Sequence, residues 1–278
     1  TRGFVSVVAT AQRYEELHPE VRITWEKRSL QAFADAPLEE LAQAYDLIVM
    51  DHPHTALAAR EGVLLPLDKY LQAAFLADQA DNSVGGSHQS YYLDGHQWTL
   101  ACDAAAPIAT WRPNLLEKYG LSLPGSWDEV LALAEAGAVT VSLFPIDVLM
   151  HVYMFCQALG HPCFSTEDEL APADTLAEAM GQLKALAECC APECLERNPI
   201  RTAEFMSQSD EKAAAYCPFA YGYSNYSRPG YALYLLKAGG LVTFQGKRLR
   251  SVLGGAGLAV SARTAHREIA ADYARFTS

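Results

Sequence analysis

The chain has 278 residues, half of them apolar and 19% charged, enough for two lobes of ordinary size or one large α/β domain and too apolar for wholesale disorder. Lys and Arg number 21 against 33 Asp and Glu, and the net charge of −12 argues against a nucleic-acid partner, because an acidic surface repels phosphate backbones. No apolar run reaches the roughly 18 residues that a membrane-spanning helix needs.

In chain order, Val5, Val8, Ala9, Ala11, Gln12, Glu15 and Leu17 form a stripe at helical spacing that stops before His18-Pro19. Thr1-Arg2-Gly3 lead straight into it, so an export signal is expected to lie outside these residues. Residues 21–25 alternate as a strand, a short helix follows over 38–44, and Tyr45 to Met50 is a continuous apolar strand of the kind buried on both faces. Such alternation of helix and strand predicts a mainly parallel sheet with covering helices. A helix over 55–60 ends at Gly62, and 63–68 leads into another. Residues 81–87 have loop composition. Asp94-Gly95 marks a hairpin turn, with strands over 97–101 and 107–111 after it. Pro113 opens a helix, and Ser126 with Glu129 three residues on is the pattern of a capping box.

Residues 139–143 read as a strand, 147–159 as a helix, and 174–188 as a long helix capped by Asp174. A strand over 212–217 precedes an aromatic loop. Residues 251–261 read as a strand interrupted by glycines, and 266–276 as a closing amphipathic helix at which the sequence breaks off, as in a fragment of a longer protein. There is no internal repeat and no low-complexity linker; the chain is expected to cross between lobes at 103–108 and again at 253–257.

Seven cysteines without regular spacing do not read as a disulfide scaffold. Cys189 and Cys190 are adjacent, so on a helix they point about 100° apart and cannot join Cys194 around one ion. They read as small buried apolar residues, and one or two disulfides in that region stay open if the protein is exported.

Asp51-His52-Pro53-His54 follows the buried strand, where open α/β sheets bind ligands. The two histidines could instead ligate a metal, and Asp51 could simply cap the loop. Phe219, Tyr221, Tyr223 and Tyr226, interleaved with Gly, Ser and Asn, offer flat faces with hydroxyl rims that suit sugars, unless they pack as core. Trp98, Trp111 and Tyr153 read as core. Asp147 is a helix cap or a ligand contact; Asp103 bonds a ligand hydroxyl or ties a hinge. Gly254-Gly255 permits close backbone approach or a pivot, or marks a bulge. No nucleophile elbow, phosphate-binding glycine loop or dinucleotide fingerprint is present.

From Tyr14 to Phe276 the sequence resembles the extracytoplasmic solute-binding proteins of ABC importers, in their family-1, maltose-binding-like branch. The resemblance is carried by Tyr14-Glu15-Glu16-Leu17-His18-Pro19-Glu20-Val21, by Tyr45-Asp46-Leu47-Ile48 followed by Gly62-Val63-Leu64-Leu65-Pro66-Leu67-Asp68, and by Asp94-Gly95-His96-Gln97-Trp98-Thr99-Leu100. The most specific marker is Pro124-Gly125-Ser126-Trp127-Asp128-Glu129, and Gly254-Gly255-Ala256-Gly257-Leu258-Ala259-Val260-Ser261 resembles the return crossover. Trp111-Arg112-Pro113 departs from the Tyr-Asn-Lys often found there, and the family is typically longer.

The resemblance implies a two-lobed, type II periplasmic-binding-protein-like fold, each lobe a mainly parallel sheet flanked by helices. The expected lobes are 1–108 with 258–278, and 109–257. It implies ligand contacts from Asp51 to His54, from the turn at Phe144 to Asp147, and from Phe219 and Tyr221. With the residues chosen above, the expected site is Asp51, His52, His54, Asp103, Asp147, Phe219, Tyr221, Tyr223, Gly254 and Gly255, with no cofactor and no metal. The expected partners are a small polar solute, foremost a carbohydrate, and an ABC permease, for a monomeric, non-enzymatic protein that is periplasmic or lipid-anchored. A metal-dependent hydrolase built on Asp51-His52-x-His54 is the rival, and a stand-alone solute sensor of the same fold the third reading.

Overall fold

The computed structural model describes residues 3–28, 37–166 and 168–278. Thr1 and Arg2 of the opening segment lie outside them. Helix α1 (Phe4–Leu17) buries Ala11 and Tyr14, while Val5 and Leu17 at the ends of the expected stripe stay exposed. Residues 21–25, expected as a strand, take no regular secondary structure and form no ladder among the described residues. Helix α2 (Leu38–Ala44), strand β1 (Leu47–Asp51) and helix α3 (Thr55–Arg60) follow, then α4 (Ala73–Asn82) and the one-turn α5 (Ser87–Ser90). The turn at Asp94 (φ 53°) and Gly95 (φ 82°) joins β2 (Tyr92–Leu93) to β3 (His96–Gln97), as two left-handed residues in a tight hairpin should. Strand β4 (Thr99–Ala101) closes this stretch.

Strand β5 (Ile108–Trp111) and α6 (Pro113–Tyr119) lead to α7 (Trp127–Glu135), whose expected capping box is formed. Ser126 Oγ accepts from the Glu129 amide at 3.3 Å, and Glu129 Oε2 accepts from the Ser126 amide at 3.2 Å. Next come α8 (Pro145–Ala158), α9 (Ala173–Cys189) and α10 (Pro199–Gln208). Asp174 sits in the first turn of α9 without capping it; Pro172 holds the cap position. Strand β6 (Tyr216–Ala220) starts later than expected, because 212–214 coil into a 3-10 turn. Strands β7 (Lys237–Gly239), β8 (Thr243–Phe244), β9 (Lys247–Arg248) and β10 (Ala256–Val260) precede the closing helix α11 (Arg267–Thr277).

The chain divides into two compact units, Thr1–Ala105 with Leu253–Ser278, and Ala106–Val252. In the first, β10 lies between β1 and β4 and runs antiparallel to both. In the second, β5 lies between β6 and β7, again antiparallel. The expectation of mainly parallel sheets is therefore wrong for the ladders described. Helix–strand alternation predicted parallel neighbours, whereas the central strand of the first sheet comes from far along the chain and runs against both of its neighbours. Parallel contact survives as isolated bridges, Val139 with Tyr216 and Ser126 with Thr243, and residues 139–143 form no strand beyond the first.

The first unit's core joins Leu65, Leu67, Leu100, Leu258 and Val260 to Ala270, Ala271 and Ala274 of α11. Tyr14 ties α1 to that helix through a 2.8 Å bond to Asp272 Oδ2 and ring contact with Tyr273. In the second unit Trp127, fully buried, stacks on Phe219 at 5.5 Å and meets Phe155 edge-on at 4.8 Å; its indole N–H donates to Gln182 at 2.8 Å. Truncating a ring so enclosed costs about 3–5 kcal/mol.

Candidate functional site

In the first unit the polar residues gather where β1 ends and the chain passes Asp103 and Gly255. Asp51 is the last residue of β1, paired with Ala256, and Oδ1 accepts from the His52 amide at 3.0 Å. It therefore caps the 3-10 turn His52–His54, one of the roles open from the sequence. The His52 amide also donates to the Gly255 carbonyl at 2.8 Å. Across the strand, Asp103 Oδ1 accepts from the Ala256 amide at 2.7 Å. Each carboxylate thus spends one oxygen on the backbone, and its second oxygen has no hydrogen bond among the described residues.

Asp51 and Asp103 are close enough to repel. Burial pushes the Asp51 carboxyl above its usual range, with the Asp103 charge adding to the rise and the His52 amide opposing it. Burial also lowers the His52 imidazole against the pull of Asp51, so His52 is neutral near pH 7. Its Nε2 is buried and without a partner among the described residues. His54 is half-buried on the same turn.

Glycine is required at 255: φ is +131°, and a Cβ there would lie 2.7 Å from the Asp103 carbonyl and 3.0 Å from Asp103 Oδ1. Gly254 pairs with Ala105 in an isolated bridge. Gly255 thus brings the backbone close to Asp103, and Gly254 brings it close to Ala105. The buried Tyr91, which sequence reasoning missed, directs its hydroxyl to the Gly255 carbonyl at 3.4 Å and sets its ring 5.4 Å from His52. Its only signal in the sequence is an aromatic residue just before the hairpin. Asp103 also lines a cavity of about 290 Å³ with Ser83, Ser87 and Cys102.

In the second unit Asp147 is buried in the first turn of α8 without capping it. Ser142 Oγ lies 2.6 Å from Asp147 Oδ2 and 2.7 Å from the Arg197 carbonyl. A hydroxyl has one proton, so both bonds hold together when Asp147 is protonated and donates to Ser142. Burial pushes its carboxyl above the usual range, and the Ser142 hydroxyl opposes the rise. One turn on, His151 is fully buried against Phe219, ring centroids 4.6 Å apart, and neither ring nitrogen has a partner among the described residues. Burial pushes its pKa down to about 3.

Of the expected aromatic contacts, Phe219 has no exposed surface and belongs to the core around Trp127. Tyr221 and Tyr223 are half-buried just beyond β6, Tyr223 resting on the smaller cluster around Met206 and Tyr226. Phe144 and Ile146 are exposed beside Asp147, a short apolar edge at the start of α8. Arg112, where the family resemblance breaks, is fully buried: it donates to the carbonyls of Met206 and Ser209, bonds Asn114 and lies 3.8 Å from the Tyr234 ring. Its role is architectural. No group of three His, Cys, Asp or Glu side chains could hold a metal among the described residues, and no described helix is long and apolar enough to cross a membrane.

Among solved structures, the chain is similar to an ABC transporter solute-binding protein of Agrobacterium radiobacter K84 in complex with ribitol (TM-score 0.79, 18% identity, 99% of this chain and 73% of that one). A solute-binding protein of Thermotoga lettingae TMO bound with α-D-tagatose matches equally well (TM-score 0.79, 17% identity, 98% and 72%). Maltose-bound MalE3 of T. maritima follows at TM-score 0.75 and 14% identity, over 99% and 74%. These likenesses establish the two-lobed binding-protein fold. No curated protein matches the sequence. The sequence pattern of the bacterial extracellular solute-binding proteins matches residues 1–141, just over half of the chain, and with the fold in agreement the chain belongs to that family.

Proposed function

We propose that the protein captures a small, uncharged polyhydroxylated solute, a sugar or a polyol, outside the cytoplasm and hands it to an ABC permease without altering it. The observation that carries this is the pair of carboxylates at the end of β1. Asp51 and Asp103 each keep one oxygen anchored to backbone and one available to accept from a hydroxyl, beside a neutral imidazole with an unpaired nitrogen. Two acceptors of like charge suit hydroxyl donors and repel anions. The half-buried Tyr221 and Tyr223 of the second unit would supply flat faces for C–H stacking. Ribitol, tagatose and maltose in the similar structures support the solute class.

A thermal-shift panel of ribitol, D-mannitol, tagatose, maltose and small organic acids tests this. Stabilisation by a polyol or sugar, and none by the acids, is the expected result. Stabilisation by the acids alone overturns the neutral-solute reading. Stoichiometric zinc with hydrolytic activity would instead return the loop Asp51 to His54 to the rival metal-dependent chemistry.

A further inference from the structure

The cysteines that the solute site leaves unused carry one more feature. Cys190 ends α9 and Cys194 lies in the 3-10 turn Pro192–Leu195. Their thiols lie against the adjacent residues Val139 and Thr140 and are near enough to perturb each other's ionisation. Cys194 is fully buried, 3.6 Å from Thr140 Oγ1, and Cys190 is half-buried, 3.9 Å from the Val139 carbonyl. The chain belongs to a family of extracellular proteins, and oxidising compartments favour disulfides between neighbouring thiols.

We propose that Cys190 and Cys194 form a disulfide in the exported protein, and that this bond braces the backbone behind Asp147. The turn they would close carries the Cys194 carbonyl, which takes the Leu143 amide at 2.8 Å, and three residues beyond it the Arg197 carbonyl takes the Ser142 hydroxyl at 2.7 Å. A cross-link closing so short a loop would fix that turn to the end of α9 whether or not solute is bound. The location rests on family membership, but the bond itself does not rest on the solute class.

The chemistry is thiol–disulfide exchange with a disulfide-bearing oxidant of the export compartment. Cys190 is the more exposed sulfur, although its interaction with Cys194 holds its thiol up; on losing its proton to solvent it attacks the oxidant's disulfide, breaking that bond and forming a mixed disulfide. Cys194 then attacks the Cys190 sulfur, the Cys190–Cys194 bond forms, and the oxidant leaves as a dithiol. The oxidant gains the two electrons, and the two protons leave the cysteine thiols through solvent.

The test is disulfide mapping of protein secreted into an oxidising compartment, alkylated without reduction and cut after glutamate. Cleavage after Glu188, Glu193 and Glu196 separates 189–193 from 194–196, so a linked pair of fragments reports the bond directly. The linked pair is expected in the wild type and in Cys189→Ser, and absent in Cys190→Ser. Reduction should lower the Tm of the wild type by about 4–8 °C and leave Cys190→Ser unmoved. Free, alkylated Cys190 and Cys194 in the secreted protein, a link that persists in Cys190→Ser, or a Tm indifferent to reduction would overturn the proposal. None of these readouts depends on finding the solute.

Discussion

Replacing His151 by Leu should make the protein resist acid. The imidazole is fully buried, both nitrogens lack partners among the described residues, and burial pushes its pKa to about 3. In the unfolded chain it titrates near the ordinary histidine value of about 6.5. Between these values the unfolded state holds a proton that the native state refuses. Stability therefore rises with pH across that window and is lost as pH falls from about 6.5 towards about 3. At about 1.4 kcal/mol for each tenfold change in proton activity, the loss reaches about 5 kcal/mol, a large part of the stability of an ordinary domain. Asp147, whose carboxyl is raised by burial, acts with the opposite sign; it is common to both proteins, so their difference isolates the imidazole. At neutral pH, the substitution removes two unsatisfied polar atoms, each costing about 1–3 kcal/mol, and the variant should be at least as stable as the wild type. Urea unfolding at pH 7, 5, 4 and 3 measures both curves. A gap that widens in favour of the His151→Leu variant as pH falls is expected; parallel curves would refute the reasoning.

Three further substitutions probe the framework. Gly255→Ala places a side chain at a positive φ and against the Asp103 carbonyl, so calorimetry should show a loss of about 2–4 kcal/mol, and an unchanged Tm would contradict the strained turn. Arg112→Lys keeps the charge but loses the forked bonds to Ser209, Met206 and Asn114; a fall of about 2–4 kcal/mol in urea is expected, and a neutral result would deny the buried guanidinium its role. Ser126→Ala breaks the capping box and should cost about 1 kcal/mol, measured in the same way.

Features written in neighbouring residues were legible from the sequence. The capping box at Ser126, the hairpin turn at Asp94-Gly95 and the helix Leu38–Ala44 each depend on residues within a few positions of one another. The family markers strung along the chain agree with the fold. Pairing partners were not legible, because β10 reaches β1 across more than 190 intervening residues and nothing local in either strand specifies the other. The same limit explains Tyr91, His151 and Arg112: their chemistry comes from burial and from partners distant in sequence. Phe219 shows the converse, since an aromatic loop composition says nothing about which ring turns inward.

The most direct measurement is isothermal titration of the wild type, Asp51→Asn and Asp103→Asn with ribitol, D-mannitol, tagatose and maltose. At least one should bind the wild type one to one, with affinity about tenfold or more weaker in each variant, since each carboxylate oxygen would accept a solute hydroxyl. No binding by any of the four, or equal binding by all three proteins, would contradict capture of a neutral solute at the end of β1.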